Sequence, residues 1–177
     1  GDVKPGRNVL IYDDAGDHAA LQAAEVIAAS GAKVEIMTPD RTFAPEVMAM
    51  NLVPYMRSLQ KQDVTFTVTY RLASVEKQDS GLLARLSSDY GGVLNTRHVD
   101  QVVVNHGTLP LDELYFELKP CSTNLGAVNY EQLIAGEVQT ELRNPEGQFV
   151  LYRIGDAVSA RNTHAAIYDA LRLVKDI

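Results

Sequence analysis

Cysteine is nearly absent from this chain. Only Cys121 carries a thiol among 177 residues, which excludes an intrachain disulfide and a cysteine-built metal cluster. Cys121, followed by Ser122, has no local basic partner, so a nucleophilic role is not assigned to it. Long apolar runs are missing too. Nothing approaches the ~18–20 residues of a membrane span and no secretory leader opens the chain, so the expectation is a cytoplasmic protein with no membrane partner. Positive charge is short: 16 Lys and Arg stand against 23 Asp and Glu, a net charge of -7, which argues against a broad basic face for nucleic acid. A P-loop and a serine elbow are both lacking. His18, His98, His106 and His164 show no metal-ligand spacing, so no metal site and no catalytic residue is assigned. An initiating methionine is likewise missing from Gly1–Gly6; a processed or tagged chain, or a piece of a longer one, would begin this way.

What is present is an ordinary globular composition, 46% hydrophobic and 22% charged, with enough length for one full core. Asn8–Tyr12 reads as a buried strand through Val9, Leu10 and Ile11. Asp17–Ser30 reads as a helix, capped by Asp17, with Ala20, Ala24, Ile27 and Ala28 on one small-residue face and Gly31 ending it. Val34–Met37 is the next strand. Short parallel strands joined by a helix require a right-handed crossover, which makes this a βαβ unit.

Pro45–Gln62 is helix-like, with Val47, Met50, Val53, Met56 and Leu59 at three-residue steps and a kink or break expected at Pro54. Strand-like pieces follow at Val64–Thr69, Tyr70–Val75, Leu82–Ser87 and Thr96–Val99, separated by Asp79-Ser80-Gly81 and Gly91-Gly92 turns. Gln101–Asn105 is again a buried-type strand. Leu111–Leu118 and Tyr130–Ala135 are short helix candidates around a loop at Lys119–Asn124. Phe149–Ile154 reads as a strand, Gly155-Asp156-Ala157 as a turn, and Asn162–Lys175 as an amphipathic helix with Ala166, Ile167, Ala170, Leu171 and Val174 on its apolar side. The fold class is α/β: a Rossmann-like parallel sheet with helices on both faces and a small antiparallel β-meander.

The first turn is the chemical puzzle. A diphosphate binds where a strand runs into a helix, because unpaired N–H groups and the helix dipole attract it and glycines let the backbone approach. Here Asp13, Asp14, Ala15, Gly16 and Asp17 fill that turn. Three carboxylates would repel the ligand, and only Gly16 permits a close approach. One reading is a Mg²⁺ bridge from carboxylates to phosphate; the other is a capped turn that has lost its ligand. At the end of the second strand, Asp40 suits an NAD ribose and Arg41 an NADP phosphate, and both also suit a plain surface loop.

Two further stretches carry a resemblance. "QVVVNHGTLPLDELYFEL" from Gln101 is similar to the strand and "TGRxPN…L" segment of flavoprotein reductases with two dinucleotide-binding domains. "FVLYRIGDAVSARNTHAAIYDALRLVKDI" from Phe149 is similar to their closing strand, Gly-Asp-Ala turn and helix. The order of segments most resembles the C-terminal part of the old-yellow-enzyme-related NADH:flavin oxidoreductases, the trimethylamine and histamine dehydrogenases, 2,4-dienoyl-CoA reductases and N-methyl amino acid demethylases. Here His106-Gly107 stands where that pattern has Thr-Gly.

The resemblance implies residues 1–148 as a nicotinamide-domain-like Rossmann module and 149–177 as a return into a flavin- or ADP-binding domain. It implies flavin or ADP contact by Gly155, Asp156, Ala157 and Arg161, with FAD or ADP bound in the intact protein. Asp156 has a second reading as a carboxylate capping the Asn162 turn, and Arg161 as a merely solvated side chain. NAD(P) at Gly16, Asp40 and Arg41 is doubtful. FMN and an iron–sulfur cluster would belong to a missing N-terminal barrel, since one cysteine cannot hold a cluster that takes roughly four. The partners implied are the barrel and flavin domains of the same polypeptide, and a homo-oligomer is open. An excised 149–177 return would pack elsewhere or pair with a neighbouring molecule. Three functions stay open: a structural, degenerate dinucleotide module of a flavin-dependent oxidoreductase, inactive alone; a working NAD(P)H domain passing hydride to flavin; and a stand-alone Rossmann-like interaction module.

Overall fold

The computed structural model describes residues 3–174. The chain divides into two compact units, Gly1–Gly107 and Thr108–Ile177.

In the first unit, β1 (Asn8–Asp13) lies at the centre of a parallel sheet, because both its faces and both its edges are apolar or paired. α1 (His18–Ala29) crosses to β2 (Lys33–Met37), α2 (Ala49–Lys61) crosses to β3 (Thr65–Thr67), and β7 (Gln101–Asn105) closes the other side. The strand order is β3-β2-β1-β7, with Leu10 paired to Glu35 on one edge and Val102 on the other. Between β3 and β7 the chain forms an antiparallel sheet of β4 (Arg71–Gln78), β5 (Gly81–Ser87) and β6 (Leu94–Val99).

Alternation along β1 builds two cores. Val9 and Ile11, with Val34 and Ile36, pack against Ala20, Leu21, Ala24 and Ala28 of α1 and Leu59 of α2. Leu10, Tyr12 and Met37 point the opposite way, against Ala84 and Leu86 of β5. Each such buried side chain contributes about 1.5–3 kcal/mol. The expected α/β class, a Rossmann-like parallel sheet with helices and a small antiparallel β-meander, is therefore observed. Both helices lie on one face, and the antiparallel sheet covers the other.

α2 also differs from the sequence reading. It begins at Ala49 rather than Pro45 and runs unbroken through Pro54. The proline is exposed, so the Met50 carbonyl it leaves unpaired faces water instead of a core. The three-residue stripe is only partly the buried face: Val47 and Leu59 belong to the core, Met50 and Val53 do not, and Leu52 and Tyr55 join it from outside the stripe. Met50 is 75% exposed.

The second unit has α3 (Glu113–Leu118), a 3₁₀ turn at Lys119–Cys121, α4 (Tyr130–Ala135), a 3₁₀ turn at Gly155–Ala157 and α5 (Thr163–Val174). The strand expected at Phe149–Ile154 is reduced to one parallel bridge, Phe149 to Ser122, because the described part of this unit supplies no further strand to pair with it. The apolar side expected for α5 does not reach a core: Ile167, Leu171 and Val174 are exposed. Lys175, its expected last residue, lies outside the described residues. No apolar side chain of this unit is buried among the described residues; Ser122, Asn124 and Gly155 are.

Candidate functional site: the acidic turn and the Gly155–Arg161 loop

In an open parallel sheet, ligands bind outside the carboxyl ends of the strands. In the first unit that edge is formed by Asp13–Asp17 after β1, Thr38–Arg41 after β2 and Asn105–Gly107 after β7. Asp13 ends β1 only 1% exposed, directly opposite Asn105 in the register. Its Oδ1 accepts from the Gly16 N–H at 3.0 Å, the Ala15 N–H at 3.3 Å and Asn105 Nδ2 at 3.0 Å. Burial is the main cause that pushes the Asp13 carboxyl above its ordinary pKa, opposed by those same hydrogen bonds.

Asp17 caps α1, its Oδ1 accepting from the Ala19 N–H at 2.8 Å and from Asn105 Nδ2 at 3.0 Å. The Asp14 N–H donates to the Asn105 carbonyl at 2.9 Å. The amides of Asp14, Ala15, Gly16 and Ala19, the donors a diphosphate would need, are thus all engaged inside the protein. Asn105 holds the two aspartates on either side of it.

Gly16 is also spoken for. Its φ is +69°, and a Cβ there would lie 2.7 Å from Pro45 Cδ, while its carbonyl accepts from the Glu46 N–H at 3.1 Å. The glycine serves a close approach, but to the Pro45 ring. Sequence reading identified Gly16 and missed both partners; Asn105 becomes visible only once β7 is known to lie beside β1.

After β2, Asp40 is exposed and its carboxylate accepts no hydrogen bond among the described residues. Arg41 Nε instead donates to the Tyr90 hydroxyl at 2.9 Å, reaching the β5–β6 turn. His106 Nδ1 lies 3.4 Å from Asp14 Oδ2, and its ring meets Tyr12 edge-on at 5.5 Å. Among the described residues no group of three or more His, Cys, Asp or Glu side chains could hold a metal ion.

In the second unit, Gly155 turns at φ +56°, and a Cβ there would meet Ala166 of α5 at 3.2 Å. Its N–H donates to Asp169 Oδ2 at 3.1 Å, and the same oxygen pairs with Arg161. Arg161 is thus held by an ion pair rather than merely solvated, and Asp169 is the residue that sequence reading missed. Asp156 is exposed and is not the cap of α5. That cap is Asn162, whose Oδ1 accepts from the Ala165 N–H at 2.9 Å. Beside this loop a cavity of about 520 Å³ is lined by Tyr115, Arg143, Arg153, Arg161 and Asp169 among others.

Comparison with known proteins finds relatives among demethylases and dehydrogenases, of which this chain matches a part. No protein-family model matches the chain. It is 74% identical, over its full length, to a Rhizobium meliloti protein named "Probable N-methylproline demethylase" and 42% identical over 99% of its length to N,N-dimethylglycine/sarcosine dehydrogenase of Chromohalobacter salexigens. The chain spans about a quarter, 26%, of each of those relatives. Histamine dehydrogenase from Rhizobium sp. 4-9 shares its fold, with a TM-score of 0.63 at 19% identity over 97% of this chain and 23% of that one. The chain is related throughout its length to one quarter of the old-yellow-enzyme-related demethylases and dehydrogenases. No helix of the described residues is long and apolar enough to cross a membrane.

Proposed function

We propose that this chain is a dinucleotide-binding-like module of a flavin-dependent oxidoreductase whose nicotinamide site is degenerate and whose role is structural. Residues 1–148 form the nicotinamide-domain-like part, and 149–177 return to a flavin- or ADP-binding domain in the rest of a longer polypeptide. Under this reading the chain is inactive alone, the catalytic flavin and any iron–sulfur centre lying elsewhere in that polypeptide.

The observation that carries the reading is the closed acidic turn. A diphosphate would have to displace Asp13 and Asp17 from three backbone amides and part Gly16 from Pro45, while meeting three carboxylates. Binding would cost the hydrogen bonds it is meant to make. Asp40 remains available to a ribose, but one carboxylate without a phosphate cradle is a weak site.

On the flavin or ADP side, Asp156 is the exposed acceptor, suited to a ribityl or ribose hydroxyl, on a loop that Asp169 holds through Gly155 and Arg161. Calorimetric titration of the chain with NADH, NADPH, ADP and FAD tests the reading. No heat of binding is expected with NADH or NADPH up to about 1 mM, and micromolar binding of either would overturn it. In the full-length polypeptide, Asp156→Ala is expected to lower the ADP or FAD that co-purifies.

A further inference from the structure

β1, β2 and β3 run parallel, so their first residues gather at the end of the sheet opposite the acidic turn. There, within the first unit, lies a cavity of about 270 Å³. Lys33, Glu35 and Thr65 line it from β2 and β3, Arg97 and His98 from β6, and Val34 and Val99 give it an apolar wall.

Glu35 and Arg97 form a pair drawn largely out of water, with side chains 17% and 27% exposed. Both oxygens of Glu35 accept from Arg97 Nε, at 3.1 and 2.8 Å, and its Oε1 also accepts from Thr67 Oγ1 at 2.7 Å. Arg97 Nη1 donates to the Thr96 carbonyl at 3.0 Å. The guanidinium is therefore fixed in place, and its hydrogen bond to Glu35 is the main cause that raises its pKa. Its Nη2 makes no hydrogen bond among the described residues, and neither do the Lys33 ammonium and the Thr65 hydroxyl.

Two cations and a hydroxyl thus share one small cavity with a single carboxylate whose oxygens are already engaged. Asp100, just after β6, is occupied too, accepting from the Asn8 N–H at 2.8 Å and from Asn8 Nδ2 at 3.2 Å. Such a donor set matches a carboxylate, because charge-assisted N–H···O bonds are the stronger kind and a guanidinium presents its donors in a rigid fork. The net charge of -7 does not cancel this local excess, since charges more than about 10 Å away are largely screened at ordinary salt. The volume falls below the ~300–1,000 Å³ of drug-sized pockets, which restricts the guest to a small molecule, and the valines suit an aliphatic body.

We propose that this cavity binds a small aliphatic carboxylate, with Arg97 Nη2, Lys33 Nζ and the Thr65 hydroxyl as its donors. The site lies at the other end of the sheet from the closed turn, and it stands whether or not a nucleotide binds the chain.

The test is a titration of the 177-residue chain with butyrate at neutral pH and constant ionic strength, followed by amide and side-chain resonances. Saturable shifts are expected at Lys33, Thr65 and Arg97, with half-saturation on the order of 1 mM and no change at Gly16. Butyramide, of the same shape without the charge, should bind at least about tenfold more weakly. Lys33→Gln, an exposed position, should weaken butyrate binding several-fold. Arg97→Lys keeps a cation for Glu35 but loses the fork, and should weaken it by about tenfold. Unchanged resonances of Leu10 and Ile11 show that each variant is folded.

No saturation by about 50 mM butyrate would overturn the proposal. So would equal binding of butyramide, an unaltered response in both variants, or shifts that chloride reproduces at the same concentration. Tighter binding of inorganic phosphate than of butyrate would overturn the assignment to a carboxylate.

Discussion

At the scale of single residues, the acidic turn is governed by who holds whom. Gly16→Ala would put a Cβ against the Pro45 ring at a left-handed φ, and a loss of about 1–3 kcal/mol in urea denaturation is expected. An unchanged midpoint would mean that the turn is looser than described. Asp13 makes a pH prediction. Its raised pKa means that the native state binds the proton more tightly than the unfolded chain does. Its favourable contribution is complete below the ordinary value of 3.8 and is lost as pH rises through the raised native value. Asp13→Asn keeps an Oδ1 acceptor and removes the titration. Relative to this variant, the parent chain should therefore lose stability as the pH rises above the ordinary value of 3.8. Parallel pH profiles would contradict the burial argument. The aspartates and Gly16 were legible in the sequence because their types announce a turn. Asn105, Pro45 and Asp169 were not, because each acts through a contact made 29 or more residues away in the turn, or 14 away along the loop and helix, and only the fold brings them there.

At the scale of elements, periodicity located nearly every helix and strand of the first unit and misjudged how some of them face. The β1–α1–β2 unit was legible because an all-apolar strand, an Asp cap and a small-residue helix face agree with one another. α2 was harder, since apolar residues lie on both of its sides and only contact with α1 and the sheet chooses Leu59 over Met50. Leu59→Ala should cost about 2–5 kcal/mol, and Met50→Ser should be near neutral. Reversal of that order in thermal melts would show the helix to be rotated. Pro54→Ala, which restores a donor to the Met50 carbonyl, should stabilise by about 1–3 kcal/mol. The strand at Phe149 was visible as composition, but a strand is realised only by neighbours, and here it finds Ser122 alone.

At the scale of the whole molecule, the two units differ in kind. The first has two buried clusters, one on each face of its parallel sheet; the second is held by polar contacts, among them Asn124 to Leu151, Asp112 to Arg153 and Asp169 to Gly155. Native hydrogen exchange should therefore find its slowest amides in β1, β2 and β7, and much faster exchange through α4 and α5. Equal protection in both units would contradict this division. Relatedness to one quarter of much longer oxidoreductases fits a module whose second unit buries no apolar side chain among the described residues.

The central claim, a dinucleotide fold whose nicotinamide site is closed, is tested most directly at the turn itself. Backbone amide resonances of Ala15, Gly16 and Asp17 should stay in place when NADH or NADPH is added to about 1 mM, because Asp13 and Asn105 already hold that turn. Shifts at those amides that saturate at micromolar nucleotide would contradict it.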